Sequence, residues 1–145
     1  MLMPKKYSSC FEESVSDGSL EIVSVKNKKK VGQKRLTVLY KDHGMPKKEF
    51  LSRVKNIFSS HKDTASIIMG DFNIDMRKDN SLATVASLEG FSPLVDCGTT
   101  IHDSLLDQIF INFETPINWK VVSLQSYFSD HNLIVLCMKR HSRQK

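Results

Sequence analysis

The stretch Ala65-Ser66-Ile67-Ile68-Met69-Gly70-Asp71-Phe72-Asn73 carries the reading from which the rest of the fold follows. A short apolar run that ends at a glycine has the composition of a central strand covered on both faces. Polar residues come directly after it, so the strand delivers Asp71 and Asn73 to the rim of a core. There a site can rest on a rigid element and still meet solvent. Gly70 permits close backbone approach at that point. In extended chain, residues two apart project to the same side, which sets Asp71 and Asn73 next to each other. A carboxylate beside an amide can orient a water or a phosphate oxygen. The same letters also fit a strand closed by an Asx-type turn, so this segment settles the strand and leaves function open.

Upstream, Phe50, Leu51, Val54, Ile57 and Phe58 recur at spacings of three and four. This predicts an amphipathic helix over residues 47 to about 60, entered after Pro46. Before it, Leu36-Thr37-Val38-Leu39-Tyr40 is β-branched and aromatic and reads as a strand. It forms a hairpin with a second strand over 21–25, across the lysine-rich segment that contains Gly32. Downstream, residues 81–88 fit a short helix with Asn80 or Ser81 as its cap and Gly90 beyond its end. Residues 106–111 and 132–138 supply two further strands, and 120–124 a weaker one. Residues 1–19 are mixed and polar, with an Asp17-Gly18 turn signal, and are expected to be loose. The organisation is thus a loose segment over 1–19, one domain over 20–138 and a basic tail over 139–145. Strands and helices interleave, so the class is α/β (α+β) with a mostly buried sheet.

Composition agrees with one globular domain: 145 residues, 40% hydrophobic, with 6 Gly and 4 Pro. No apolar run is long enough to span a bilayer, and no apolar stretch follows the N-terminal lysines as a secretory signal requires. The three cysteines, Cys10, Cys97 and Cys137, are far apart and odd in number, which suits reduced thiols in an intracellular protein. The net charge of +5 is concentrated in Lys26, Lys28, Lys29, Lys30, Lys34 and Arg35, and in Lys139, Arg140, Arg143 and Lys145. Such clusters attract polyanions through phosphate neutralisation, and equally serve as a solvated turn and a solvated tail.

Two more polar clusters sit on apolar strands. Asp107 lies inside Leu105-Leu106-Asp107-Gln108-Ile109-Phe110-Ile111, where a carboxylate needs a partner if it is buried. Its plainer reading is an edge-strand residue facing water. Ser129-Asp130-His131 directly precedes Asn132-Leu133-Ile134-Val135-Leu136. Adjacent residues on extended chain point in opposite directions, so Asp130 and His131 are expected to do different jobs. Asp130 suits a hard divalent cation. His131 suits a hydrogen bond or proton delivered to a phosphoryl oxygen, with Asp107 holding its ring. A surface or satisfied core imidazole is the commoner use of a lone histidine.

Taken in order, Ile67-Ile68-Met69-Gly70-Asp71-Phe72-Asn73, Thr99-Thr100 leading to Leu106-Asp107-Gln108-Ile109-Phe110, and Tyr127-Phe128-Ser129-Asp130-His131 resemble the endonuclease/exonuclease/phosphatase superfamily. Gly90-Phe91 and Leu94-Val95 are similar to its short connector. The last two motifs are closest in wording to endonuclease domains of non-LTR retrotransposons. The resemblance implies a phosphodiesterase, most closely a DNA endonuclease, dependent on Mg2+ or Mn2+. It implies that Asp71 polarises the attacking water, that Asn73 orients it or the phosphate, and that Asp130 helps hold the metal. His131 would stabilise charge on the phosphoryl oxygens while paired with Asp107, and Tyr40 would contact the phosphate. Lys28, Lys29, Lys30, Lys34 and Arg35 would meet the nucleic acid, and a nuclear location would be in keeping with DNA as partner.

The resemblance covers about 20–138 and corresponds to the C-terminal half of a four-layer β-sandwich flanked by helices. Its other half carries the principal metal-ligand glutamate. Seventy residues precede Asp71, too few for the strands of that half, and Glu12, Glu13 and Glu21 fall in no motif of the family. The expectations are a truncated domain, weak metal binding, impaired cleavage, and an apolar sheet face left for a second chain. The alternative is a catalytically inactive retrotransposon remnant that at most binds nucleic acid or a partner.

Overall fold

The computed structural model describes residues 11–26, 34–114 and 119–138. Its centre is β4 (Ala65–Asp71), the strand expected from the apolar run. β4 pairs in parallel with β3 (Lys34–Lys41), because the helix α1 (Lys47–His61) carries the chain back across the sheet between them. On its other side β4 pairs antiparallel with β6 (Asp107–Ile111). β3 continues into the expected hairpin with β2 (Leu20–Lys26), every residue of β2 finding a partner. Two short strands complete the sheet: β1 (Phe11–Ser16) beyond β2 and β5 (Ser92–Pro93) beyond β6, giving the order β1-β2-β3-β4-β6-β5. β7 (Trp119–Leu124) and β8 (Leu133–Met138) pair with each other as a separate two-stranded sheet.

Period-two alternation divides the large sheet into two unlike faces. Leu20, Ile22, Leu39, Ile68 and Phe110 pack against Phe50, Val54 and Phe58 of α1 and Leu82 and Ala86 of α2 (Ser81–Leu88). Aromatic edge contacts tighten this layer, with ring centroids of Phe58 and Phe110 5.2 Å apart and of Phe72 and Phe110 5.4 Å apart. A buried polar chain crosses it: Ser24 Oγ lies 2.9 Å from Thr37 Oγ1, which lies 2.8 Å from His61 Nε2. On the opposite face, Val121, Ile134 and Leu136 of the β7–β8 hairpin pack on Ile67, Met69, Ile109 and Ile111.

That hairpin covers β4 and β6 and stops short of β3. Leu36, Val38 and Tyr40 alternate along β3 with the buried Thr37, Leu39 and Lys41 and remain 36%, 44% and 40% exposed. The face expected to lack a cover is thus open along β3 and covered over β4 and β6.

One expectation is corrected. Residues 1–19 do not all form a loose start, since Phe11–Ser16 is β1 and pairs with β2. The physical reason is the turn between them: Asp17 Oδ1 accepts the N–H groups of both Ser19 and Leu20 at 2.9 Å, closing a hairpin. α2 ends as expected, with Gly90 at φ +81 and the Phe91 N–H bonded to the Ala86 carbonyl. Cys97 and Cys137 are free thiols. Lys28, Lys29, Lys30, Cys10 and the basic tail lie outside the described residues. Among the described residues, no helix is long and apolar enough to cross a membrane.

Candidate active site

The site grows from one row of the sheet. The register places Tyr40 opposite Asp71 across β3 and β4, and Asp71 opposite Asp107 across β4 and β6. Gly70 makes that row possible. At φ +152 its missing side chain faces the backbone of β3, where an added Cβ would meet the Leu39 carbonyl oxygen at 1.8 Å. Two carboxylates directly opposite each other repel, and such an arrangement persists when a cation or a donor joins them.

The donor is His131. Its Nδ1 donates to Asp107 Oδ2 at 2.8 Å, and its Nε2 stands 3.7 Å from Asp71 Oδ2. Burial pulls the imidazole pKa down. The hydrogen bond and charge of Asp107, with the charges of Asp71 and Asp130, outweigh this and leave it above its ordinary value. Burial, helped by the neighbouring Asp107 charge, pushes Asp71 up against the opposing pull of the Asn73 N–H, His131 and His43.

The loops that hold these groups are tied together. Thr99 is fully buried, and its Oγ1 accepts the N–H groups of Leu106 and Asp107, both at 3.1 Å. Its carbonyl accepts the Asn132 N–H at 2.7 Å, and Thr100 bridges to His131. Ser129 Oγ accepts the His131 N–H at 3.1 Å. Thr99 was visible in the sequence as part of a motif, but nothing in its letters showed that it anchors both halves of the Asp107–His131 pair.

Other expected residues are placed differently. Asn73 is not in extended chain beside Asp71. It adopts φ +46, its N–H bonds Asp71 Oδ1 at 2.9 Å, and its Nδ2 donates to the Lys41 carbonyl at 2.5 Å. The asparagine therefore ties the end of β3 to the end of β4, the Asx turn that the sequence also allowed. Asp130 is exposed and stands outside the group of possible metal donors. Lys34 and Arg35 start β3, whereas Tyr40 ends it, so they lie roughly 15–20 Å along the strand from the carboxylates. Lys34 sits over the Phe113 ring, and Arg35 donates to the Ser60 carbonyl at 3.2 Å. Neither belongs to the carboxylate site. His43, unremarked in the sequence, is close enough for its charge to act on Asp71.

Among the described residues, Asp71, Asp107 and His131 each offer one ligand atom, all within 4.8 Å of one another. Two carboxylates and an imidazole beside an open cleft of about 190 Å³ suit a divalent cation that keeps part of its water shell. The cleft continues between Val38, Met69 and Leu133, so its wall away from the acids is apolar.

No protein-family model and no curated protein matches the chain. Solved structures do. The endonuclease domain of TRAS1, a telomere-specific non-LTR retrotransposon, matches with a TM-score of 0.66 at 19% identity over 83% of this chain and 64% of that domain. An endonuclease/exonuclease/phosphatase family protein from Leptotrichia buccalis matches with a TM-score of 0.58 at 20% identity, over 83% of this chain and 54% of its own. TDP2 of D. rerio, solved with a single-strand DNA product, gives 0.58 at 16% identity over 86% and 66%. The chain spans between 54% and 66% of these three structures, and over that span it carries the endonuclease/exonuclease/phosphatase fold.

Proposed function

We propose that the site hydrolyses a phosphodiester with help from a divalent cation, and that the substrate is DNA. The observation that carries this reading is the closed row of Tyr40, Asp71 and Asp107 with His131 bridging the two acids at 2.8 and 3.7 Å. Asp71 takes the proton of an attacking water, for which its raised pKa makes it a better base. His131, charged and held by Asp107, donates to a phosphoryl oxygen as negative charge develops there. Tyr40 stands beside Asp71 with its side chain on the same open face, where a phenol meets a phosphate oxygen. Asn73 keeps the ends of β3 and β4 together, so that Asp71 and Tyr40 stay in register. A bound Mg2+ or Mn2+ would supply charge neutralisation at the phosphate, held by carboxylate oxygens of Asp71 or Asp107 with the nearby Asp130.

So few carboxylate donors hold Mg2+ weakly, so we propose low activity for this chain alone. The choice of DNA is supported by the net charge of +5 and by the likeness to a retrotransposon endonuclease. A nuclear location and a second chain over the open sheet belong to the same proposal.

A nicking assay on supercoiled plasmid with Mg2+, run beside the His131→Ala variant, tests it. Nicking that disappears with His131 supports the hydrolase. Nicking indifferent to His131 comes from a contaminant and overturns it. The second reading, an inactive remnant that binds nucleic acid, is favoured by the small metal donor set. Salt-sensitive DNA binding without cleavage would establish it.

A further inference from the structure

The ion pair between Arg77 and Asp103 lies outside the row of catalytic candidates. It closes the turn on which the Asp107–His131 pair depends. Asp103 has φ +59, a left-handed conformation unusual for a residue with a side chain. It folds back so tightly that a Cβ on Gly98 would stand 2.2 Å from its Oδ1 and 2.9 Å from its Cα. A backbone held in this way persists only where its surroundings over-determine it. Arg77 is a main part of those surroundings, since its Nη1 donates to the Asp103 carbonyl at 3.0 Å and to the Asp103 carboxylate. Asp75 adds to the same seam: its Oδ1 accepts the N–H groups of Leu105 at 3.1 Å and Arg77 at 3.2 Å.

What this turn holds is the site. Inside it the Thr99 N–H bonds the Ser104 carbonyl at 2.8 Å, which sets Thr99 Oγ1 against the Asp107 N–H. On its outer side the Ile101 N–H bonds the Asp130 carbonyl at 2.9 Å, and Thr100 bridges to His131. One turn thus sets the backbone on both sides of the 2.8 Å bond between Asp107 and His131. A slip of ~1 Å in the turn carries that bond beyond hydrogen-bonding distance.

We propose that Arg77 and Asp103 are positioning residues, a clamp that sets the distance between Asp107 and His131 and thereby, in the neutral ring, which nitrogen carries the proton. The proposal deepens the reading of those two residues as a working pair and rests on it. Arg77 and Asp103 are 39% and 76% exposed, so as a plain surface ion pair they would add little to global stability. The clamp is therefore expected to act locally, which separates it from a structural staple.

The test is long-range 1H–15N NMR of the imidazole rings in the full chain without metal, at a pH that keeps them neutral. The His131 signals are identified by their absence in His131→Gln. The wild type is expected to hold the Nδ1–H tautomer, because Nδ1 donates to Asp107. Arg77→Ala is expected to lower the ratio of Nδ1–H to Nε2–H roughly tenfold, the factor that one hydrogen bond to a charged group supplies. Arg77→Lys, which keeps the charge and one donor, should recover part of it. Asp103→Asn removes the carboxylate and keeps a residue that tolerates positive φ, and serves if Arg77→Ala fails to fold. The control is Arg53→Ala, which breaks another surface pair, with Asp17 at 2.7 Å, and should leave the ratio unchanged. An unchanged ratio in Arg77→Ala or Asp103→Asn overturns the proposal, as does an equal change in Arg53→Ala. If the tautomer shifts but the wild type does not nick plasmid, the clamp stands and the hydrolase reading falls. If the wild type nicks and the tautomer is unmoved, the reverse holds.

Discussion

Replacing Gly70 by alanine tests the central strand and the site together. The added methyl would stand 1.8 Å from the Leu39 carbonyl oxygen, 2.8 Å from its carbon and 3.0 Å from its nitrogen. All three are backbone atoms of β3 in the paired register of a parallel ladder, so no side chain can rotate out of the way. Relief requires β3 and β4 to separate locally or Gly70 to leave φ +152, and both disturb the neighbouring Tyr40–Asp71 pair. Overpacking of this kind costs about 1–3 kcal/mol, and forcing a side chain into a glycine conformation costs about as much again. The sum, about 4 kcal/mol, is a large part of the roughly 5–15 kcal/mol that hold a small domain folded. Gly90→Ala supplies the contrast, because Gly90 has φ +81 and nothing within 4 Å of an added Cβ. It should lose only about 1 kcal/mol, from the conformation alone. Urea unfolding followed by circular dichroism measures both. If Gly70→Ala unfolds at a urea concentration as close to wild type as Gly90→Ala does, the close approach of β3 and β4 is wrong.

Asp107→Asn should lower the His131 pKa, since the hydrogen bond and charge of Asp107 are the largest influences raising it; an NMR titration of His131 unchanged by the substitution contradicts the pairing. For a raised histidine the stabilisation is present in full below the unfolded value and fades as pH rises through the folded one, so the wild type's stability advantage over Asp107→Asn should shrink across that interval. Asp71→Asn should stabilise the fold at neutral pH while abolishing any nicking, because the raised Asp71 pKa means that its charged form weighs against folding once pH passes that value. A melting temperature below wild type at neutral pH would contradict this. Val38→Lys, on the open face of β3, should change unfolding free energy by no more than about 0.5 kcal/mol and lower any light scattering from self-association; equal scattering by the two proteins would show that the exposed row does not drive association.

Much of the fold was legible because its elements are locally consistent. The run Ile67–Ile68–Met69 became β4, and the spacing of Phe50, Val54 and Phe58 became the buried stripe of α1. The hairpin of β2 and β3 and the span of α2 followed from equally local signals. β1 was missed because its residues are mostly polar, and only pairing with β2 across the Asp17 turn makes them a strand. β5 was missed for a similar reason, being two residues that exist only against Phe110 and Ile111. The separate β7–β8 sheet was also invisible, since strand propensity does not say which strands pair.

The sequence offered Asp71, Asn73, Asp107, His131, Tyr40 and Asp130 as a set through their resemblance to the endonuclease/exonuclease/phosphatase superfamily, while each motif alone also fitted a structural role. Tertiary structure decided how the set is assembled. It put Tyr40, Asp71 and Asp107 in one row, turned Asn73 away into a tie between β3 and β4, and left Lys34 and Arg35 at the far end of the sheet. It also gave Arg77 and Asp103 their place, which no local pattern marks. The physical reason is that strand formation and alternation act over a few neighbouring residues, whereas register, crossover and loop closure join residues tens of positions apart. The arrangement of the candidate site lies in those long-range joints.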